Sequence, residues 1–528
     1  MQARPAALLV LLAGSGFAAD YVGSKACAKC HAPLYRAYLR TPMGRSLVDA
    51  RERPELASTR TVVVSEELHR QFEVWTDRGK LYQSEAGAGF RQEFPVAYAI
   101  GSGANGIGFI VRRGDYLFEA PLSYYRHAHA WGLSPGYENV DSGFNRPIAS
   151  GCISCHSGRA QPIPNTNGKY LEPALLEPSV GCENCHGPGA RHVAAGGARA
   201  AIVNPARLTP DLMQDICMYC HQAGDIRVLQ PGKTLLDFRP GAPLDDTVAI
   251  FKMERQPSTA DLLEHHESMR LSRCFRESGR MTCLTCHDPH AGSIEYRAKC
   301  LSCHDKPLPS PHPARKSDCI GCHMPKRAVA TIAHSTLTNH RIVRNVNDLP
   351  PLQTNAATDE MSGLVHVNAT PGRPLPLITL LQAYGQLIDQ RPEYARKFNE
   401  LLDRTSQENG DDPLVLAMLG RSALRSNSID DAIRYLTHSI ERGSIAPGVF
   451  EDLGEALARA GRPADALSAL QRGIQLAPFA PELYKSAALQ YVALGQRDEA
   501  VRTLNFYLGL FPQDDFIRQL LERLPRRK

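Results

Sequence analysis

Seven times the chain spells Cys-x-x-Cys-His: Cys27, Cys30, His31; Cys152, Cys155, His156; Cys182, Cys185, His186; Cys217, Cys220, His221; Cys283, Cys286, His287; Cys300, Cys303, His304; and Cys319, Cys322, His323. These repeats use 14 of its 15 cysteines. The spacing is the attachment signature of c-type haem, because two thiols must reach the two vinyl groups of one porphyrin while the adjacent imidazole turns under the iron as axial ligand. Zinc ribbons and disulfide scaffolds also use Cys-x-x-Cys, but a ribbon pairs two such knuckles around one metal and needs no His after each second cysteine. Here His follows all seven. The motifs therefore predict seven covalently attached haem c groups, with the seven motif histidines as proximal iron ligands. The remaining thiol, Cys274, reads as a small buried apolar side chain.

A length of 528 residues predicts two to four domains, and 43% hydrophobic residues is ordinary for a globular chain. Residues 1–19 carry one basic residue, Arg4, an apolar stretch from Ala6 to Leu12, and the small residues from Gly14 to Ala19. That pattern predicts a signal peptide cut near Ala18 or Ala19. Its apolar run is too short to span a bilayer, and no later segment reaches transmembrane length. The expected location is a bacterial periplasm, with the cell surface or secretion as further options. The formal charge of +5 counts protein alone. Each ferric bis-imidazole haem adds about −1 through its propionates, which brings the mature chain to about −3 oxidised and about −10 reduced. The polypeptide's basic balance thus gives a nucleic-acid partner no support.

Residues 20–59 hold the first motif. In 60–130 the text turns to short β-rich runs, Thr61–Val64, Phe72–Trp75, Phe109–Val111 and Tyr116–Phe118, which predict a small sheet. Six motifs crowd into 131–345 among Gly, Pro and polar turns, with no periodic apolar pattern able to build an ordinary core. The haems themselves are expected to be that core, wrapped by short helices and loops. Residues 346–376 read as a linker. From 377 to 528 the composition shifts to Leu, Ala and Glu, and a repeat of 34 residues starts at Pro413, Pro447 and Pro481. Its eighth position is small (Gly420, Gly454, Ala488), its fifteenth a turn former (Asn427, Gly461, Gly495) and its twentieth Ala (Ala432, Ala466, Ala500). This resembles tetratricopeptide (TPR) repeats, an α-solenoid of antiparallel helix pairs. The fold class is mostly α, with a β-rich insert near the N-terminus.

Seven irons need up to seven distal ligands, and 12 of the 19 histidines lie outside the motifs. His290 is three residues past proximal His287 and cannot reach the far side of the same iron, so it is expected to bind a neighbouring haem; the same holds for His192 after His186. His334 and His340 follow the last motif and are candidates, as are one of His265 and His266, one of His127 and His129, and His312. His366 and His69 read as structural. No histidine follows His31 closely, but Met43 does, in a Pro-Met-Gly turn; as a ligand its thioether would raise the potential of the first haem, and as an alternative it packs on the porphyrin.

With the Cys182-Glu-Asn-Cys-His-Gly-Pro-Gly and Cys283-Leu-Thr-Cys-His-Asp-Pro-His blocks in hand, residues Tyr21 to Arg344 resemble multihaem cytochromes c of the cytochrome c-554 type, here fused to TPR repeats. The resemblance implies a carrier of single electrons between periplasmic redox partners, docked through the repeats, with a membrane-associated electron donor as one option. Some relatives act on small nitrogen or sulfur compounds at one open haem, which leaves a multihaem oxidoreductase as the alternative. The motif ending in Lys that related nitrite reductases carry at the catalytic haem does not occur here. A third reading, a repeat scaffold with haem as filler, asks seven cofactors to do what a few leucines would.

Overall fold

The computed structural model describes residues 20–523 apart from 54–55, 57–59, 223, 254–264, 280, 292–294, 305–317, 329–335 and 345–362. The signal peptide expected at 1–19, the candidate ligands His312 and His334, and most of the expected linker lie outside the described residues.

The β-rich runs fold into a ten-stranded antiparallel sheet larger than the sequence suggested. Strands Arg60–Ser65, Arg70–Asp77, Lys80–Gly87, Phe90–Ile100, Gly106–Arg113, Tyr116–Glu119 and Arg146–Pro147 follow one another across it, and Leu47–Asp49 and the hairpin Leu122–Tyr125/Ala130–Leu133 extend it. Alternation places Phe72, Val74, Phe109, Val111 and Phe118 on one packed face, all fully buried. A register shift between Val96 and Tyr98 bends the long strand Phe90–Ile100, so that it pairs with Lys80–Gly87 at one end and Gly106–Arg113 at the other.

The C-terminal part is a stack of antiparallel helix pairs: Leu377–Gly385 with Ala395–Asn409, Pro413–Arg425 with Ile429–Glu441, Pro447–Arg459 with Pro463–Leu476, and Pro481–Ala493 with Arg497–Leu510, closed by Asp515–Arg523. Each repeat proline opens its helix at the first turn, where a missing N–H costs nothing. Asn427, Gly461 and Gly495 turn the chain at φ of 62°, 72° and 74°. A Cβ on Gly454 would fall 2.8 Å from the Leu470 side chain, and one on Gly420 2.5 Å from Leu436, the residue at the same place one repeat earlier. Gly454→Val is therefore expected to lower the stability of the helical stretch by about 1–3 kcal/mol, measurable by denaturant unfolding.

Between these parts, 150–344 differs in its two halves. Over 150–250 the expectation of no ordinary core is corrected. Ile153, Ala160, Tyr170 and Leu175 pack with Leu47, Ile110 and Leu117 of the sheet, and Ile216, Met218, Tyr219, Phe238, Leu244, Val248 and Ile250 form a second cluster. Ala160, Tyr170 and Leu175 stand on a hairpin, Arg159–Pro162/Tyr170–Glu177, Val248 and Ile250 on the strand Val248–Met253, which pairs with Ile226–Leu229, and Ile153, Ile216, Met218 and Tyr219 on the helices Ser150–His156 and Pro210–His221, short runs that escape a pattern search. Over the described residues of 265–344 the only buried apolar side chains are Met269 and Val343. The segment expected to link the two halves contributes a strand, Leu364–His366, antiparallel to Val248–Met253. The helix Leu377–Gly385 then packs on that three-stranded sheet through Leu381 and Tyr384.

The last repeat is docked on the ten-stranded sheet. Phe479 meets Phe118 edge-on at 4.7 Å, and the Arg113 guanidinium lies 4.8 Å over its ring. Beside this contact, buried Arg70 faces Asp141 at 2.7 Å, Asp515 at 2.8 Å and Glu85 at 3.5 Å. Burial first, then the Asp141 carboxylate, pushes Glu85 up from 4.5 to about 8. A raised carboxyl pKa means that the fold prefers the protonated form. The stability Glu85 contributes is present in full below about pH 4.5 and is lost as pH rises through about 8. Glu85→Gln is expected to match the wild type at pH 5 and to be more stable by roughly 1–3 kcal/mol at pH 9, read by thermal unfolding at both pH values. No helix among the described residues is long and apolar enough to cross a membrane.

Candidate functional site

Each motif sits on a short helix or helix end, which puts its two thiols and the following imidazole on adjacent turns. Cys27, Cys30 and His31 ride the helix Ser24–Tyr38, and His31 departs from helical geometry at φ −113°, ψ 36°. The later motifs lie on Ser150–His156, on Glu183–His186 with Cys182 just before it, at the end of Pro210–His221, on Cys283–Cys286 with His287 just after it, at the end of Tyr296–Leu301 with Cys303 and His304 past it, and on Cys319–His323.

Four motif imidazoles face a second histidine. His31 and His192 lie 6.4 Å apart between ring centroids with planes 15° from parallel, and His186 and His290 lie 6.1 Å apart at 27°. His287 and His340 are 6.1 Å apart at 29°, and His221 and His265 are 5.7 Å apart at 69°. Nearly parallel rings at such distances are not in face contact, which needs about 3.5–4.0 Å between atoms. Two imidazoles on opposite sides of one metal, with bonds of about 2 Å and centroids roughly 1 Å beyond each nitrogen, stand about 6 Å apart. The four pairs fit that spacing.

The protonation pattern fits as well. The Nδ1 atoms of His186, His192, His323 and His340 lie 2.8 Å from the Val203 carbonyl, 3.0 Å from Ala198, 2.8 Å from Val343 and 2.9 Å from Thr338. A ring donating Nδ1–H to a carbonyl leaves its Nε2 lone pair free for a metal. Burial lowers the pKa of half-buried His156, His186 and His340, and pushes His265 down to about 3, so these imidazoles stay neutral, the form that ligates.

Thiols of different motifs also lie beside one another: Cys27 by Cys182, Cys155 by Cys220, Cys217 by Cys283, and Cys300 by Cys319. His265 and His340 lie 4.5 Å apart, so the facing pairs of the fourth and fifth motifs adjoin.

The other sequence candidates stand elsewhere. Met43 starts a single 3₁₀ turn, Met43–Arg45, and is half-buried, while the ring that faces His31 is His192. His127 and His129 are exposed on the hairpin tip after Leu122–Tyr125. His266 is half-buried beside His265, and burial together with Arg270 pushes it down to about 4. Among the described residues no imidazole is seen facing His156 or His304. His366 lies 3.1 Å from buried Asp245 and stacks on Phe251, a structural place. Cys274 is half-buried, and burial raises its pKa.

Sequence reasoning missed Glu183, one of the two variable residues inside the third motif. Its side chain is only 5% exposed and accepts three main-chain hydrogen bonds. A charged residue in that gap is unremarkable as text, and only the folded chain shows what it holds.

Residues 123–187 match the family described as "Cytochrome c554 and c-prime", a stretch that holds the motifs at Cys152 and Cys182. The likeness is to a c-type cytochrome and implies covalently bound haem c. No curated protein matches the chain. Among solved structures, MamA is 20% identical over 26% of this chain and 91% of that chain, with a TM-score of 0.22. YrrB, described as a TPR protein with an unusual peptide-binding site, is 17% identical over 28% of this chain and 84% of that chain, with a TM-score of 0.23. The chain thus joins a segment similar to c-type cytochromes, a β-rich N-terminal region and a C-terminal stack of helix pairs.

Proposed function

We propose that the chain is an exported heptahaem c-type cytochrome that passes single electrons between redox partners and binds a partner protein through its TPR-like repeats. The observation that carries this reading is the set of four facing histidine pairs. In each, the second imidazole comes from peptide outside the motif it faces. His192 follows the third motif and faces the first; His290 follows the fifth and faces the third; His340 follows the seventh and faces the fifth. Cross-ligation of this kind ties successive haem peptides together and sets them close enough for electrons to tunnel. Bound haem supplies a one-electron ferric/ferrous couple whose potential is graded by axial ligand, burial and nearby charge. The protein's part is to hold porphyrin through fourteen cysteines, to cap iron with paired imidazoles, and to exclude competing ligands. In this assignment Met43 stands outside the ligand set. The concave side of a helical stack suits docking of a protein, whose identity the repeats do not specify.

Electron paramagnetic resonance of the oxidised protein tests the reading. Low-spin components for the irons on His31, His186, His221 and His287, unaltered by nitrite or hydroxylamine, are expected. An axial high-spin signal that shifts on adding either compound would instead favour an oxidoreductase. That activity would sit at the motif of His156 or of His304, proximal candidates with no facing imidazole among the described residues.

A further inference from the structure

Glu183 lies between the two cysteines of the third motif, yet its carboxylate does not serve that motif alone. Oε1 accepts N–H from Val22 at 3.0 Å and from Gly189 at 2.7 Å, and Oε2 accepts N–H from Gly23 at 2.8 Å. These three donors come from two places in the chain. Val22 and Gly23 immediately precede the helix Ser24–Tyr38, which carries His31. Gly189 immediately precedes the helix Ala190–Ala194, which carries His192. Neither helix is capped by a side chain of its own preceding residue. One buried carboxylate thus fixes the starting points of both elements whose imidazoles face each other across 6.4 Å. The surrounding bonds reinforce it: Ser24 N–H donates to Glu177 at 3.1 Å, and Cys182 N–H donates to the Ser24 hydroxyl at 2.9 Å.

We infer that Glu183 is a positioning residue for the first iron: through Val22, Gly23 and Gly189 it sets the distance and ring alignment of His31 and His192. The inference rests on the assignment of that pair as axial ligands. It places a control over the first haem inside the attachment motif of the third, so that the two are built as one unit.

The test is Glu183→Gln, in the full haem-loaded chain. The amide keeps the shape but replaces one oxygen by an N–H₂ group that points at a main-chain donor, so at least one of the three bonds is lost and a buried N–H is left without its acceptor. The expected result is a changed g-tensor or partial high-spin conversion in a single haem component, the same one that His192→Ala abolishes, with a shifted midpoint potential for that haem and the other components in place. Glu183→Asp keeps the carboxylate one methylene shorter and is expected to restore the component partly; it carries the test if the Gln variant does not accumulate. A folded Gln or Asp variant whose spectrum equals the wild type, or whose change falls on a component that His192→Ala leaves alone, overturns the inference. If His192→Ala itself leaves every low-spin component intact, the ligand assignment fails instead, and the two failures are told apart by that one variant.

Discussion

His192→Ala is expected to convert one haem of the seven from low-spin to high-spin and to leave the rest unchanged. The substitution removes the imidazole that stands 6.4 Å from His31 and leaves the proposed proximal attachment through Cys27, Cys30 and His31 untouched. The freed position should admit external ligands. Added imidazole is expected to restore a low-spin signal, a rescue that general damage to the fold would not give. The potential of that haem should also move, since axial ligation is the main lever that spreads haem potentials over about 0.8 V. By the same geometry Met43→Ala is expected to leave every component in place. Loss of a sulfur-to-iron band in the Met43 variant would return the first iron to a His–Met pair.

The second large effect concerns folding. Chain made without haem attachment is expected to be cut by protease throughout 265–344, while 60–148 and 377–523 stay protected. The reason is the distribution of apolar burial. The sheet region packs Phe72, Phe109, Phe118, Leu122 and Phe144, and the repeats pack Leu436, Phe450, Leu470 and Leu483, each of them essentially inaccessible. The described part of 265–344 buries only Met269 and Val343 among apolar side chains. The described part has too little side-chain packing to offset its conformational entropy, so its order is expected to come from a group that binds only the folded state. Region 150–250 should be intermediate, because it has two apolar clusters of its own. Mapping the fragments by mass spectrometry reads the outcome; uniform resistance along the chain would show that 265–344 folds without haem.

The two ends of the molecule were the most legible. The repeats announce themselves because each is one helix pair whose close approach admits only a small residue, and Gly420 and Gly454 stand where Leu436 and Leu470 press in. The β runs were readable because alternation puts Phe72 and Val74 on one face with Gln71 and Glu73 on the other. The sheet Ile226–Leu229/Val248–Met253/Leu364–His366 was not readable: its third strand joins from more than a hundred residues away, and no local pattern encodes such pairing. At the candidate site the proposed attachment residues rest on spacing alone. His192 and His290 stand out as candidate cross-ligands because a residue so near a proposed proximal ligand cannot pass round its own porphyrin. Which motif each imidazole faces depends on tertiary approach: sequence proximity draws attention to Met43 at the first motif, and in the folded chain the ring that faces His31 is that of His192. The docking of Phe479 and Arg70 against opposite halves of the chain likewise has no local signature.

The central claim is that all seven motifs carry haem. Protein purified from a host that attaches c-type haem, weighed intact and titrated as its pyridine haemochrome, answers it most directly. Seven haems per chain that resist extraction by acidified organic solvent are expected; fewer than seven on fully matured protein, or haem that extracts freely, would contradict it.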